Sequence, residues 1–444
     1  MTPLYDAIRA YAARHPTRFH MPGHKGNFLP VPELQSIAPL DVTEIDPTGD
    51  LFSGGEPFDT AQRLWAERFG MEDCLFLTGG STLGLHAALA LFCRPGDQVL
   101  IDRGCHRAVY NALALLDLEP VYLPRPWLEG EGIAGPICPQ DVENLLVSRP
   151  NIKTVCITSP TYSGVLSDVA KLSHLIHARG GKLIVDGAHG AHLPFLGIDA
   201  FSGCDALICS AHKTLPALGQ TALLFTNGAD PRRVRQMTSV FGSSSPSYPM
   251  MISLDCARDY LEGEGTEEYR RAARRTAALR AAFPSLQEGT LRLDPTRLTL
   301  TSPDGHALAR ALEEENIWPE MADSGHVVLI LTAQDSDQDL TRLERALERH
   351  RALLGEPPVL PAPPLPKPAC SLREALFAPV ERLPLQDCLG RVAAGQLAPY
   401  PPGVPVVAPG EVIGEKELAY LKEIGYNNLD VPVIADVTPK RELF

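Results

Sequence analysis

Short apolar runs recur through the first half of the chain, and each is closed by a cluster of small or polar residues. Cys74-Leu75-Phe76-Leu77, Gln98-Val99-Leu100-Ile101-Asp102, Thr154-Val155-Cys156-Ile157-Thr158, Lys182-Leu183-Ile184-Val185-Asp186 and Ala206-Leu207-Ile208-Cys209 read as buried strands of an open α/β sheet. Thr221-Ala222-Leu223-Leu224-Phe225 continues that sheet. Helical spacing predicts helices over residues 4–14 and from Leu83 to Phe92. From about residue 256 the pattern shifts to charged helices (Arg258 to Ala282), a helix from His306 to Glu315 and a strand from Val327 to Leu331, which suits a small α/β domain. Residues 355–368 are Pro-rich and predict a stiff, extended linker. A further unit follows, with an expected helix from Leu385 to Gln396 and a turn at Pro399-Tyr400-Pro401-Pro402-Gly403. The expected division is therefore 1–255, 256–354, linker 355–368 and 369–444.

The strand ends carry chemistry. Ser210-Ala211-His212-Lys213-Thr214 follows one buried run, and a lysine held there loses hydration, which lowers its pKa toward nucleophilicity. A lysine reaching solvent is the plainer alternative. About one crossover earlier, Asp186 closes another run. A carboxylate for a pyridine nitrogen and an amine for a Schiff base are the minimum of a pyridoxal phosphate (PLP) site. Thr78-Gly79-Gly80-Ser81-Thr82 opens a helix in the manner of an anion cup, or of an ordinary N-cap. Arg103-Gly104-Cys105-His106-Arg107 and Ser159-Pro160-Thr161-Tyr162-Ser163-Gly164 close two more strands. Ligands of open α/β sheets lie beyond the carboxyl ends of the strands, so the repetition outweighs any single motif. Asp186, His189 and His192 offer an O/N/N set to zinc, but steps of three alternate sides of an extended chain and no firm fourth ligand accompanies them. His20 and His24 straddle a Pro-Gly break that removes helical ligand geometry. No metal is expected.

Composition narrows the class. The 444 residues, 44% apolar and 21% charged, suit a soluble protein of two or three domains. A formal net charge of -14 speaks against nucleic-acid binding and suits cationic small molecules. The ten cysteines form no C-x-x-C pair, the amino terminus lacks a basic or apolar leader pattern, and no apolar run approaches a membrane span. These features predict a reduced, cytoplasmic protein with no membrane partner.

Four blocks carry a resemblance to a known family: Ser210-Ala211-His212-Lys213-Thr214, Asp186-Gly187-Ala188-His189-Gly190, His20-Met21-Pro22-Gly23-His24-Lys25-Gly26 and Pro399-Tyr400-Pro401-Pro402-Gly403-Val404-Pro405. Together they strongly resemble the bacterial ornithine/lysine/arginine decarboxylases of the fold-type I PLP class, over nearly the whole chain and in the short form without a receiver-like wing. The resemblance implies an aspartate aminotransferase-like α/β large domain, a small α/β domain and a C-terminal α+β domain. It implies pyridoxal 5'-phosphate on Lys213, Asp186 at the ring nitrogen, and His106 stacked on one ring face with Ala188 on the other and His189 nearby. Ser81, Thr82 and Ser210 would hold the phosphate, and His212 or Lys213 would return a proton to Cα. Glu320 would recognise the distal cationic group of a basic amino acid, with Thr161 and Tyr400 as further substrate contacts. The hydroxyl-rich loop Ser243-Ser244-Ser245-Pro246 would reach the phosphate of a partner subunit, with Ser244 among its contacts, so a homodimer or a higher oligomer of dimers is expected. His20, His24 and Lys25 belong to a segment that lies near the active site in the family. Gly187 stands where short members commonly carry Glu. The implied reaction is α-decarboxylation of a basic amino acid in polyamine metabolism, with arginine to agmatine favoured and lysine or ornithine as alternatives. Aminotransfer or elimination on the same scaffold, and a non-catalytic decarboxylase-like regulator, stay open as different readings.

Overall fold

A computed structural model describes residues 1–399, 404–426 and 430–435. Its centre is a seven-stranded sheet built from the apolar runs: β1 (Asp73–Leu77), β2 (Gln98–Asp102), β3 (Glu119–Leu123), β6 (Thr154–Thr158), β7 (Lys182–Asp186), β8 (Ala206–Cys209) and β9 (Ala222–Thr226). A two-stranded hairpin, β4 (Trp127–Leu128) with β5 (Ile133–Ala134), interrupts the series. The order across the sheet is β1-β9-β8-β7-β6-β2-β3. β9 runs antiparallel to both β1 and β8, while β8, β7, β6, β2 and β3 are mutually parallel. Two reversals restore direction, so the carboxyl ends of β1, β8, β7, β6 and β2 all open on one edge. That edge is where the chemically useful residues of the sequence fall.

The strands are buried along nearly their whole length, as expected for runs without polar alternation. Each fully buried Val, Leu, Ile or Phe stabilises the fold by roughly 1.5–3 kcal/mol before entropy is counted. The same hydrophobic cluster takes in Leu4 and Ile8 of the first helix, Pro3–Ala12, whose apolar stripe matches the expected periodicity. Buried Asp255 accepts from the backbone N–H groups of Leu4 and Tyr5 and so fixes that helix to the helix Tyr248–Tyr260.

Helix Tyr248–Tyr260 runs through the division expected at residues 255/256, and Leu261 and Tyr269 beyond it still pack in the first cluster. A second cluster begins at Leu279 and ends at Leu354. It is built on the strands β10 (Arg297–Thr301), β11 (Met321–Ala322) and β12 (His326–Ile330), in the order β10-β12-β11. A third cluster, Leu385 to Val433, surrounds the paired strands β13 (Val380–Leu383) and β14 (Val431–Ile434) and the helix Glu415–Glu423. The helix expected from Leu385 to Gln396 is absent. Only a 3-10 turn, Leu385–Asp387, forms there, and the rest pairs as isolated bridges, Val392 with Val412, Ala393 with Val433 and Leu397 with Val407. Gly390 and Gly395 interrupt any helical run, and Gly390 takes a φ of +78°, outside helical geometry.

Candidate active site

Lys213 sits on a single helical turn, Ala211–Thr214, that follows β8 directly. Its Nζ lies 3.1 Å from His189 Nε2. Burial lowers the lysine pKa, while Asp186 and Glu320 oppose that shift and Arg297 adds to it. Burial, followed by the charge of Lys213, holds His189 well below the ordinary histidine range. The imidazole is therefore neutral and accepts from the amine. The Tyr162 ring meets His189 edge-on at 4.6 Å between centroids.

Asp186 ends β7 beside Thr158 of β6 and Ile208 of β8. It is 3% exposed, and its Oδ1 accepts from the Ala188 N–H at 3.1 Å. Burial raises its pKa and Lys213 opposes the rise, so the carboxylate is poorly compensated within the chain. His106 caps the helix Arg107–Leu116, its Nδ1 accepting from the Ala108 N–H at 3.2 Å. Burial, then Lys213 and Arg107, bring its pKa down to about 4. A neutral imidazole thus faces the same space as Lys213. The turn after β2 is fixed by Asp102, which accepts from the Gly104 N–H at 2.8 Å and from Arg125 Nε at 2.9 Å.

The helix Gly80–Phe92 opens this edge beside β1, and no side chain caps its first turn. Gly80 has a φ of +69°, a conformation costly to residues with a Cβ, and the turn presents backbone N–H groups with the Ser81 and Thr82 side chains beside them. Across from it, Ser210 Oγ is buried without a hydrogen-bond partner among the described residues. Thr158 Oγ1, Thr214 Oγ1 and His189 Nδ1 are in the same condition. Orphaned buried polar atoms are costly unless a ligand satisfies them. The donor set fits a planar group with a basic ring nitrogen for Asp186, a carbonyl carbon for Lys213 and an anion for the uncapped helix and Ser210.

Glu320 is exposed, accepts from the Tyr162 hydroxyl and lies within electrostatic reach of Lys213, His212 and Arg297. His212 is itself exposed, and burial followed by Lys213 lowers its pKa. The Thr161 hydroxyl accepts from the Val165 N–H at 3.0 Å, which places it in a turn. Its neighbour Tyr162, passed over in the sequence, is the residue that links His189 to Glu320. Arg297 is a second omission. It is 1% exposed, contacts the His189 carbonyl at 3.4 Å, and its Nε and Nη1 find no hydrogen-bond partner among the described residues. An arginine inside the buried strand Arg297–Thr301 was the available signal. Ser243, Ser244 and Ser245 are exposed, and Tyr400 lies outside the described residues.

The other residues singled out in the sequence have partners within the chain. His192 is buried against Asp294 (3.0 Å) and Thr296 (2.9 Å), away from His189's partner, and no metal-holding cluster occurs among the described residues. His24 pairs with Asp41 at 3.0 Å, His20 with Tyr11 at 2.8 Å, and Lys25 Nζ donates to the His20 carbonyl at 2.6 Å. At Gly187 a Cβ would stand 2.6 Å from Leu207 Cδ1, so a side chain there would require the leucine to shift.

Residues 2–297 match the model of the Orn/Lys/Arg decarboxylase major domain, and residues 361–432 that of the Orn/Lys/Arg decarboxylase C-terminal domain. An arginine decarboxylase of Bacillus subtilis (strain 168) is 30% identical over 464 residues, covering 97% of this chain and 94% of the relative. The crystal structure of the Francisella novicida lysine decarboxylase is similar with a TM-score of 0.83 at 20% identity, over 98% of this chain and 81% of that one. A ureidoglycine-glyoxylate aminotransferase from Bacillus subtilis is similar with a TM-score of 0.54 at 17% identity, over 69% and 90% of the respective chains. The fold is accordingly the aminotransferase-like α/β class that the family resemblance implied.

Proposed function

The chain belongs to the Orn/Lys/Arg decarboxylase family, and on that premise we propose that it is a PLP-dependent enzyme that removes the α-carboxyl group of a basic amino acid, arginine to agmatine being the favoured reaction. The observation that carries this reading is the part-buried pairing of Lys213 with neutral His189 beside the poorly compensated carboxylate of Asp186. The arginine preference is supported by the arginine decarboxylase relative. A cytoplasmic homodimer acting in polyamine metabolism is the setting that fits.

Bound PLP supplies an electron sink for the pair left on Cα when CO₂ departs. Lys213, whose pKa burial lowers, would hold the cofactor by its carbonyl carbon. Asp186 would keep a proton on the ring nitrogen, because a buried carboxylate is stabilised by a cationic neighbour. Neutral His106 would cover the ring without adding positive charge. Ser210, Ser81, Thr82 and the first turn of Gly80–Phe92 bind the phosphate, and Ser244 from a second copy completes that site. Arg297 offers its free Nε and Nη1 to a substrate carboxylate, and Glu320 with Tyr162 receives the distal cation. Lys213 or exposed His212 returns a proton to Cα. Measuring CO₂ release from arginine, lysine and ornithine side by side tests the reading. Turnover highest with arginine is expected, and no release from any of the three would overturn it.

A further inference from the structure

The unit after the Pro-rich stretch grips the helix Arg107–Leu116 at both ends. Arg373 Nη1 donates to the carbonyls of Ala114 (3.3 Å) and Leu115 (3.0 Å) at its carboxyl end. Gln396 Nε2 donates to the Arg107 carbonyl (3.2 Å) and to Asn111 Oδ1 (2.8 Å) in its first turns. Just before the helix, Arg103 Nη2 reaches Glu411 Oε2 at 2.9 Å and the Val406 carbonyl at 2.9 Å. Arg103 and Glu411 are 7% and 1% exposed. The guanidinium also donates to the Tyr110 hydroxyl at 2.6 Å and lies 4.7 Å from the Tyr122 ring centroid. Glu411 accepts the Ala408 N–H at 2.7 Å, and Ala408 and Leu372 join the main hydrophobic cluster.

Arg103 stands three residues before His106, on the turn that Asp102 and Arg125 hold from the sheet side. The turn that delivers the imidazole therefore has two anchors, one in the large domain and one 308 residues later in sequence. Stability alone does not call for a buried ion pair, since apolar residues of similar volume often serve as well or better. A guanidinium fork paired with a carboxylate adds direction.

We propose that the carboxy-terminal unit is a positioning element of the active site: Arg103–Glu411, seconded by Gln396, sets the His106 ring against the cofactor. Glu411 touches no reacting atom and acts through His106. The inference rests on the functional reading above in taking His106 as a cofactor contact.

A double-mutant cycle on PLP affinity, followed by the cofactor's visible absorption, separates positioning from plain stability. Glu411→Gln should weaken PLP binding about tenfold in the wild-type background and less than about twofold in a His106→Asn background, where there is no ring left to position. Equal losses in both backgrounds, or none in the first, would overturn the proposal. Should Glu411→Gln not fold, Gln396→Ala, which leaves the ion pair in place, goes through the same cycle with the same two readings. Wild-type protein with no cofactor band would instead sink the functional reading, so the two failures are told apart.

Discussion

The Lys213 amine and the His189 imidazole meet at 3.1 Å in a pocket that disfavours charge on both. Burial is the main cause for both, and the electrostatic effect of Lys213 lowers the histidine further.

Borohydride reduction of the PLP-bound protein should fix a pyridoxyl group on Lys213, found by peptide mass spectrometry. An adduct on Lys25 or Lys182 would disprove the assignment. Asp186→Asn should keep the cofactor and lose turnover by about a hundredfold or more, because a neutral amide does not hold a ring proton. Near-normal turnover would remove Asp186 from the mechanism.

The Tyr162 ring meets His189 and its hydroxyl donates to exposed Glu320. Glu320→Gln should raise KM for the preferred basic amino acid roughly tenfold, the equivalent of about 1.4 kcal/mol. Tyr162→Phe should shift KM in the same direction by less, since the carboxylate stays. Steady-state kinetics decide it, and an unchanged KM in Glu320→Gln makes that residue a surface acid.

The lowered pKa of His106 has a sign. The folded protein keeps it neutral down to about pH 4, whereas the unfolded chain protonates it near pH 6.5. Protons therefore favour the unfolded state between those values, and stability falls as the pH drops from about 6.5 toward 4, by up to about 3 kcal/mol from this group. Denaturant titrations of cofactor-free protein should show that slope. His106→Asn, which retains a capping acceptor, should flatten it. An unaltered slope would assign the acid sensitivity to other groups.

The strand ends were legible because local pattern determines them: an apolar run followed by small and polar residues is a strand leaving the core, whatever surrounds it. Asp186, Lys213 and the Gly79-Gly80 turn were all found that way. Arg297, Tyr162 and the Arg103–Glu411 pair were not, since their meaning lies in partners far off in sequence. Glu411 and Arg103 look like ordinary surface charges until the third unit folds over the helix Arg107–Leu116. The expected helix after Leu385 failed for a related reason. In that small unit, glycine breaks and strand-like pairing across long loops override apolar spacing.

Ser243 to Ser245 are exposed, and the Ser245 N–H donates to Ser243 Oγ. If they complete a neighbour's site, a Lys213→Ala chain mixed with a chain carrying bulky substitutions at these serines should regain activity. Random exchange would restore about a quarter of normal turnover, one good site in each mixed dimer. No recovery after proven exchange would mean that each site is built from one chain.

The sheet order imposes a timetable on synthesis. Among the described residues β1 borders only β9, so the strand that leads into the Gly79-Gly80 turn has no hydrogen-bonding neighbour until everything from Leu77 to Ala222 has left the ribosome. Until then it is an apolar edge open to wrong pairing. Nascent chains arrested before Ala222 should sediment with aggregates or with bound chaperone, and chains arrested well past Thr226 should not. A half-made chain consequently lacks the edge on which Gly80 and Lys213 stand together, because the strands that precede them are locked together by the same late strand.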